Sequence, residues 1–527
     1  MKRTIILIAA LAFCATSFAQ NEYDALRYST NNYYGTARSI AVGNAMTAVG
    51  GDLGAIGLNP AGSAVSGYSQ FTLTPNVSLV ATQATYDAVP GKTGSVLSTR
   101  DSWSRFSMPN FGMVFNFDLH RRSGIRNISL GFIGNATSNF LDRMAAEGDN
   151  SATSFLGQLA AATTGIPTSQ LESYNSGAPW NSVIGYNTDM ISAYGSGDTD
   201  YIGATEKLYG DEITLAGPLS QRYGRQSSGN KYDLLFNAGM NISDVLYIGA
   251  NLGLVSIDYS TNTYFKEAAL DPNQFGIEYA DGFVSYFDNM RYRQHIDATG
   301  SGIYGKLGFI VRPVGGLRIG AAFQTPTSNF ITEHWVYSGD ITFSDRSNSE
   351  TSPEGSFEYR LTSPWRFNAG VAYTFGTMGF LSADYEMCDY SRMRFREVGT
   401  NDDSEFSYEN SNILNYMGMS HMLRLGAEMK VVPEVALRAG YNLTTTPERY
   451  LDTVGNKIAP SASRHAISFG FGYSSKGSFF ADFACRGNFL PKEYIYPYDN
   501  YIDGTDSPEI MNKMQLWDIV ATFGWRF

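Results

Sequence analysis

The last fifteen residues, KMQLWDIVATFGWRF at 513–527, put Trp517, Ile519, Ala521, Phe523, Trp525 and Phe527 on one parity and Asp518, Thr522, Gly524 and Arg526 on the other. Successive side chains of a strand point to opposite faces, so one face of this segment is apolar and the other mostly polar. With no polar tail after Phe527, the pattern predicts a last strand paired inside a sheet, and a face bearing two Trp and two Phe is unsuited to water. Hydrocarbon accepts it. There every backbone N–H and C=O must find a partner, so strands reach lipid only within a closed barrel.

The opening residues fit export. Lys2 and Arg3 precede an apolar run from Ile5 to Cys14, and Ser17-Phe18-Ala19 supplies small residues for cleavage. Residues 1–19 read as a secretory signal peptide. No later stretch is long and apolar enough to cross a membrane as a helix. An aromatic content of 14% with 54 Gly suits a barrel, which uses aromatic girdles at both interfaces and Gly where its wall is crowded. The expected location is the bacterial outer membrane. Loss of Lys2 and Arg3 makes the exported chain still more acidic than the net −12 of the whole, which argues against nucleic acid as a partner. Cys388 and Cys485 then remain, too few for a disulfide scaffold and without the spacing of a zinc or redox motif.

Period-two segments recur along the chain. Leu234 to Ile242 and Leu246 to Leu254 flank Ser243-Asp244; Ile303 to Val311 and Leu317 to Phe323 flank 313–316, with Leu307, Phe309, Val311, Ile319 and Phe323 outward and Lys306, Arg312, Arg318 and Gln324 opposite. Fourteen strands are expected, starting near 69, 106, 126, 231, 245, 302, 317, 354, 379, 420, 434, 464, 477 and 513. Short connections alternate with long ones, the longest about 141–229, as periplasmic turns alternate with outer loops. The predicted fold is all-β: a 14-stranded antiparallel transmembrane β-barrel over 69–527. Residues 20–68 precede it. Their Gly-rich core (35–62) carries Ile40, Val42, Met46, Val49, Leu53, Ile56 and Leu58, too many apolar residues for a disordered tail. They are expected to form an N-terminal luminal plug, or hatch, entering from the periplasmic side, where both ends of the mature chain would lie.

Three passages resemble the outer-membrane fatty acid transport proteins of FadL type, which have aromatic hydrocarbon channels of TodX type among their relatives. In the plug, Gly35-Thr36-Ala37-Arg38-Ser39 followed by Asn59-Pro60-Ala61-Gly62 resembles that family's hatch. In the wall, residues 302–327 and 437–447 are similar to its central and late strands. The stretch 141–230 is longer than the family's pattern at that loop. The resemblance implies a monomer, without cofactor, that takes up a hydrophobic solute passively. Outer loops would capture a long-chain fatty acid or an aromatic hydrocarbon, and the hatch would shift to release it sideways into outer-membrane lipid.

Within that reading the hatch motif is Asn59, Pro60 and Ala61; Asn-Pro is also a turn former and could simply reverse the backbone. Apolar residues in long loops are the capture candidates: Phe155, Leu156 and Leu159 at helical spacing, and Phe275, Ile277, Phe283 and Phe287 beyond. Packing of the loops on one another is the alternative. Lys306, Arg366, Arg424, Arg438 and Arg464 fall on the luminal parity and could meet a carboxylate. Asp384, Glu428, Asp482 and Asp518 share that interior, so pairing among themselves or with the hatch competes. An enzyme is not expected, because His465 and Ser468 stand three positions apart on a strand and so on opposite faces. Two rivals remain: haemin binding, through His334 or loop tyrosines, and a structural or adhesive barrel using the large loop.

Overall fold

The computed structural model of the 527-residue chain describes residues 21–88, 97–195, 197–210, 212–279, 282–451 and 457–527. The expected signal peptide lies outside the described residues. Fourteen antiparallel strands follow one another round the wall. They are β1 (Gln70–Asp87), β2 (Leu97–Asp118), β3 (Ile125–Asn139), β4 (Leu219–Ile242), β5 (Leu246–Ala269), β6 (Val284–Val314) and β7 (Leu317–Gln324, continued by Ser328–Phe343). The circuit continues through β8 (Gly355–Thr362 and Arg366–Thr374), β9 (Gly379–Asp389), β10 (Met419–Val432), β11 (Val435–Thr445), β12 (Ser463–Ser474), β13 (Phe479–Phe489) and β14 (Glu509–Arg526). The sheet closes where β14 pairs with β1, Trp525 opposite Phe71. The Phe527 carbonyl accepts the Ser69 N–H at 3.1 Å just beyond.

The wall sorts side chains as the alternation predicts. Leu307 is 64% exposed and Ile519 52%, whereas their neighbours Lys306 and Asp518 are 2% and 0% exposed. Large apolar groups face away from the barrel, polar and charged ones face into it, the reverse of a water-soluble sheet and the arrangement hydrocarbon demands.

Strand starts on the periplasmic side fall close to expectation, but β2, β4 and β6 begin at 97, 219 and 284 rather than near 106, 231 and 302. Above the apolar belt the outward face meets water and the inward face meets protein, so the contrast that reveals a strand fades while its backbone ladder continues: Lys266 still pairs with Arg222 and Arg291.

Residues 21–66 run through the lumen. Helix α1 (Glu22–Ser29) lies high in it, burying Ala25 and Tyr28 against Phe140 and Tyr259, and Glu22 meets Asn412 on the outer-loop helix. The segment therefore descends from the outer part of the lumen to β1, rather than entering from below as expected; the apolar face of α1 is buried among the aromatic residues of the upper wall. Helix α2 (Ala37–Ala41) and two 3-10 turns (Gly54–Gly57, Pro60–Val65) fill the lower lumen.

A band of inward-facing wall glycines seats this lower part. Gly239, Gly249 and Gly308 stand opposite one another across β4, β5 and β6, and Gly426 opposite Gly440 across β10 and β11. A Cβ at Gly440 would lie 2.0 Å from the Gly43 nitrogen and one at Gly249 2.4 Å from the Pro60 carbonyl carbon. Backbone thus lies directly on backbone, which only Gly permits. Gly440→Leu is expected to leave the barrel closed but unseat the segment, so single-channel conductance in planar bilayers should rise; a conductance equal to the parent's would show that the seat tolerates a side chain.

Candidate functional site

Asn59-Pro60-Ala61 is a fastening point between segment and wall. Extended backbone at Asn59 precedes Pro60, whose missing N–H suits the first position of the 3-10 turn. The Asn59 side chain accepts the Ala61 N–H at 3.1 Å and donates to the carbonyls of Thr47 at 2.7 Å and Phe309 at 3.1 Å. Gly308 leaves the room this needs, for a Cβ there would stand 2.1 Å from Asn59 Oδ1. One amide thus caps a turn, ties two parts of the segment together and holds them to β6.

The luminal cations are engaged. Lys306 Nζ donates to the Gly57 carbonyl at 2.7 Å. Arg366 and Arg424 share Glu386, the first at 3.1 Å, and Arg366 also donates to the Ser29 carbonyl. Arg438 bridges Glu428 at 2.7 Å and Asp482 at 2.6 Å, and Arg38 of the segment holds Glu428 from the other side at 2.8 Å. Four of the five candidate cations are therefore committed to wall acids or to the segment's backbone. Removing one partner of such a buried pair typically costs about 3–5 kcal/mol because the other charge is stranded. Arg464 is different. Its guanidinium donates to Asn32 and has no carboxylate within salt-bridge distance among the described residues. It lines a cavity of about 260 Å³ together with Leu26, Met422, Pro447 and Leu490 and with the ion-paired Arg366 and Glu386.

The loop residues read as capture candidates mostly form a core of their own. Leu156, Leu159, Phe275 and Phe287 are at most 1% exposed, and Phe155 packs on Phe265 and Tyr292 with ring centroids 5.5 and 5.2 Å apart. Phe265 and Met290 project inward from β5 and β6, so helix α3 (Phe155–Thr163) sits across the outer mouth. Ile277 is partly buried at the edge of this cluster, and Phe283 is half exposed beside Tyr279. His334 lies on the outward parity of β7 with Glu354 at 2.8 Å, turned away from the lumen.

Two features escaped sequence reasoning. The first is a gap in the wall. β2 and β3 pair from Asp118 opposite Asn127 up to Asn110 opposite Asn135; above that, among the described residues, β2 is laddered only to β1. Pro109 stands where the ladder stops and has no N–H to continue it, and β3 bulges between Ala136 and Ser138 before turning inward. Side chains alone span the breach: Arg105 donates to the Gly229 carbonyl at 3.1 Å and the Tyr232 hydroxyl to the Met108 carbonyl. A cavity of about 120 Å³ remains, lined by Phe106, Met108, Asn139, Tyr232 and, from the N-terminal segment, Tyr34. Tyr34 and Asn32 are held there by bonds to the Ala136 and Thr137 carbonyls at 3.0 and 2.7 Å. Pro109 inside an alternating strand was the available signal.

The second is a buried acid in the outer cap. Glu206 accepts the Gly203 N–H at 2.9 Å, and Gly157 of α3 lies so close that a Cβ would meet Glu206 Oε1 at 2.3 Å. Burial pushes this carboxyl up to about 7, against the Gly203 and Tyr501 hydrogen bonds that favour its charged form. The closed cap therefore keeps a proton that an opened one, near the ordinary 4.5, releases, and its stability falls as pH rises between those values. Hydrogen exchange over 155–163 and 201–206, corrected for intrinsic rates, should be faster at pH 8 than at pH 5.5, and Glu206→Gln should reduce the difference; an undiminished difference would assign it to another group.

No family model matches this chain, and no curated protein does. Among solved structures it is similar to a FadL homologue of Pseudomonas aeruginosa, at 15% identity and a TM-score of 0.47 over 94% of this chain and 98% of that one. It is similar to the Pseudomonas putida toluene transporter TodX at 14% and 0.48, over 95% and 99%. The monoaromatic hydrocarbon channel CymD follows at 13% and 0.47, over 94% and 98%.

Proposed function

We propose that this barrel is an outer-membrane channel for passive uptake of hydrophobic compounds, working as a monomer without a cofactor. The observation that carries the reading is the breach between β2 and β3. It opens toward the apolar outer face beside Phe106 and Met108, is crossed by side chains rather than backbone, and is backed by Tyr34 of the N-terminal segment. A water-filled pore has no use for such a side exit; an apolar solute does, because it passes from lumen to hydrocarbon without entering water. Each methylene kept out of water is worth about 0.8 kcal/mol.

In this account the outer loops admit the solute, the cavity beside Arg464 holds it, and the segment acts as a plug whose displacement withdraws Tyr34 from the breach. The Asn59 fastening and the Arg38–Glu428 pair hold the lower plug while residues 30–34 move. Long-chain fatty acids and aromatic hydrocarbons are both suitable solutes, and Arg464 separates them, since only the former carry a carboxylate for its guanidinium. His334, turned outward, gives haemin no luminal ligand.

Uptake of labelled oleate and toluene by cells expressing the protein tests this. Ser107→Trp, which fills the breach, should slow both at least tenfold while the barrel remains heat-modifiable on gels. Arg464→Gln should slow oleate and spare toluene. Parental rates for the Trp variant would place the exit elsewhere.

A further inference from the structure

Above the apolar belt the outward face of β4, β5 and β6 carries a row of like charges. Arg222 stands opposite Lys266, and Lys266 opposite Arg291, on three consecutive strands. Arg293 follows two positions along β6, on the same face. Directly opposed residues lie about 5 Å apart, and like charges so placed are destabilising; all three guanidinium groups act on the Lys266 ammonium. Acids bound the row without filling it. Glu147 stands opposite Arg222 with 3.8 Å between the charged groups, and Asp340 stands opposite Arg291 but is ion-paired with Arg293, so two acids flank four cations. Lys266 and Arg291 have no carboxylate within salt-bridge distance among the described residues. In a chain of net charge −12 this is a local inversion of sign.

The surroundings are built for contact. A Cβ at Gly224 would meet the Tyr264 ring at 2.3 Å, so this glycine lets the ring lie against the wall, with the Lys266 ammonium 5.5 Å from its centroid. The Tyr264 ring and the Lys266 ammonium over it offer a sugar an apolar edge to pack against and its acidic substituents a counter-charge.

We propose that this patch binds the anionic saccharide portion of lipopolysaccharide, the glycolipid that surrounds an outer-membrane barrel on this side. Height fits: the outward apolar residues of β5 end at Leu254, and at ~3.3 Å per residue with a tilt near 40° the row stands about 30 Å above it, in the sugar layer rather than the hydrocarbon. The patch faces sideways, away from the mouth, so it meets neighbouring glycolipid rather than incoming solute. It is independent of the uptake reading.

The experiment uses the whole protein in detergent, titrated with phosphorylated-core lipopolysaccharide and followed by thermal unfolding and by native mass spectrometry. Phosphorylated lipopolysaccharide should stabilise the parent in a salt-sensitive way. The triple variant R222Q/K266Q/R291Q, still heat-modifiable, should bind at least tenfold more weakly, whereas R121Q/R122Q at the periplasmic turn should bind like the parent. Equal binding by the triple variant, or equal binding of chemically dephosphorylated material, would overturn the proposal. So would a matching shift from inorganic phosphate alone, which would make the row an ion site. Should the triple variant fail to fold, K266Q alone carries the test, with a threefold loss expected and none contradicting it.

Discussion

Every feature of this molecule depends on the requirement that backbone at the depth of the hydrocarbon find a partner. Among the described residues the ladder from β1 round to β14 and back meets it except above Asn110, where β2 is paired only with β1, and the Ser69–Phe527 bonds finish the seam. Once the ring is closed, side-chain alternation does the rest: groups such as Leu307 and Ile519 face lipid, and the charges of Lys306 and Asp518 are confined to the lumen. Confined charge must be paired, and there the N-terminal segment becomes structural. Its carbonyls at Ser29 and Gly57 and its Arg38 complete sites that the wall leaves incomplete.

The same requirement gives the breach its meaning. Letting the β2–β3 ladder lapse at Asn110 exposes backbone that would be costly in lipid. The chain answers with Pro109, which has no N–H, and with Arg105 and Tyr232, which cover carbonyls of Gly229 and Met108. Side-chain closures can exchange partners, whereas a continuous ladder cannot open without breaking several bonds together. A lumen tightly seated on glycine below and loosely closed beside β2 and β3 is therefore asymmetric in where it can yield.

Much of this was legible in the sequence because period two is a strong signal when the two faces meet lipid and a polar lumen. The strands beginning at 317, 379, 419, 435 and 463 lie within a residue of their expected starts. The outer halves of β2, β4 and β6 were not legible, since there neither face is consistently apolar. Luminal placement of Lys306, Arg366, Arg424 and Arg438 followed from parity, but their partners did not, because pairing across the barrel depends on register and on the path of the segment. The upward position of α1 was hidden for the same reason. Phe275 and Phe287 read as loop aromatics, and only the fold shows them facing each other, with ring centroids 5.9 Å apart.

The most direct test of the account is to map where a solute leaves. A long-chain fatty acid carrying a diazirine near its methyl end, photolysed during transport and followed by peptide mass spectrometry, should mark Tyr34, residues 105–109 and residues 230–232. Adducts confined to the periplasmic cavity of Tyr68, Gln70 and Arg526 would contradict a sideways exit and with it the role given to the breach.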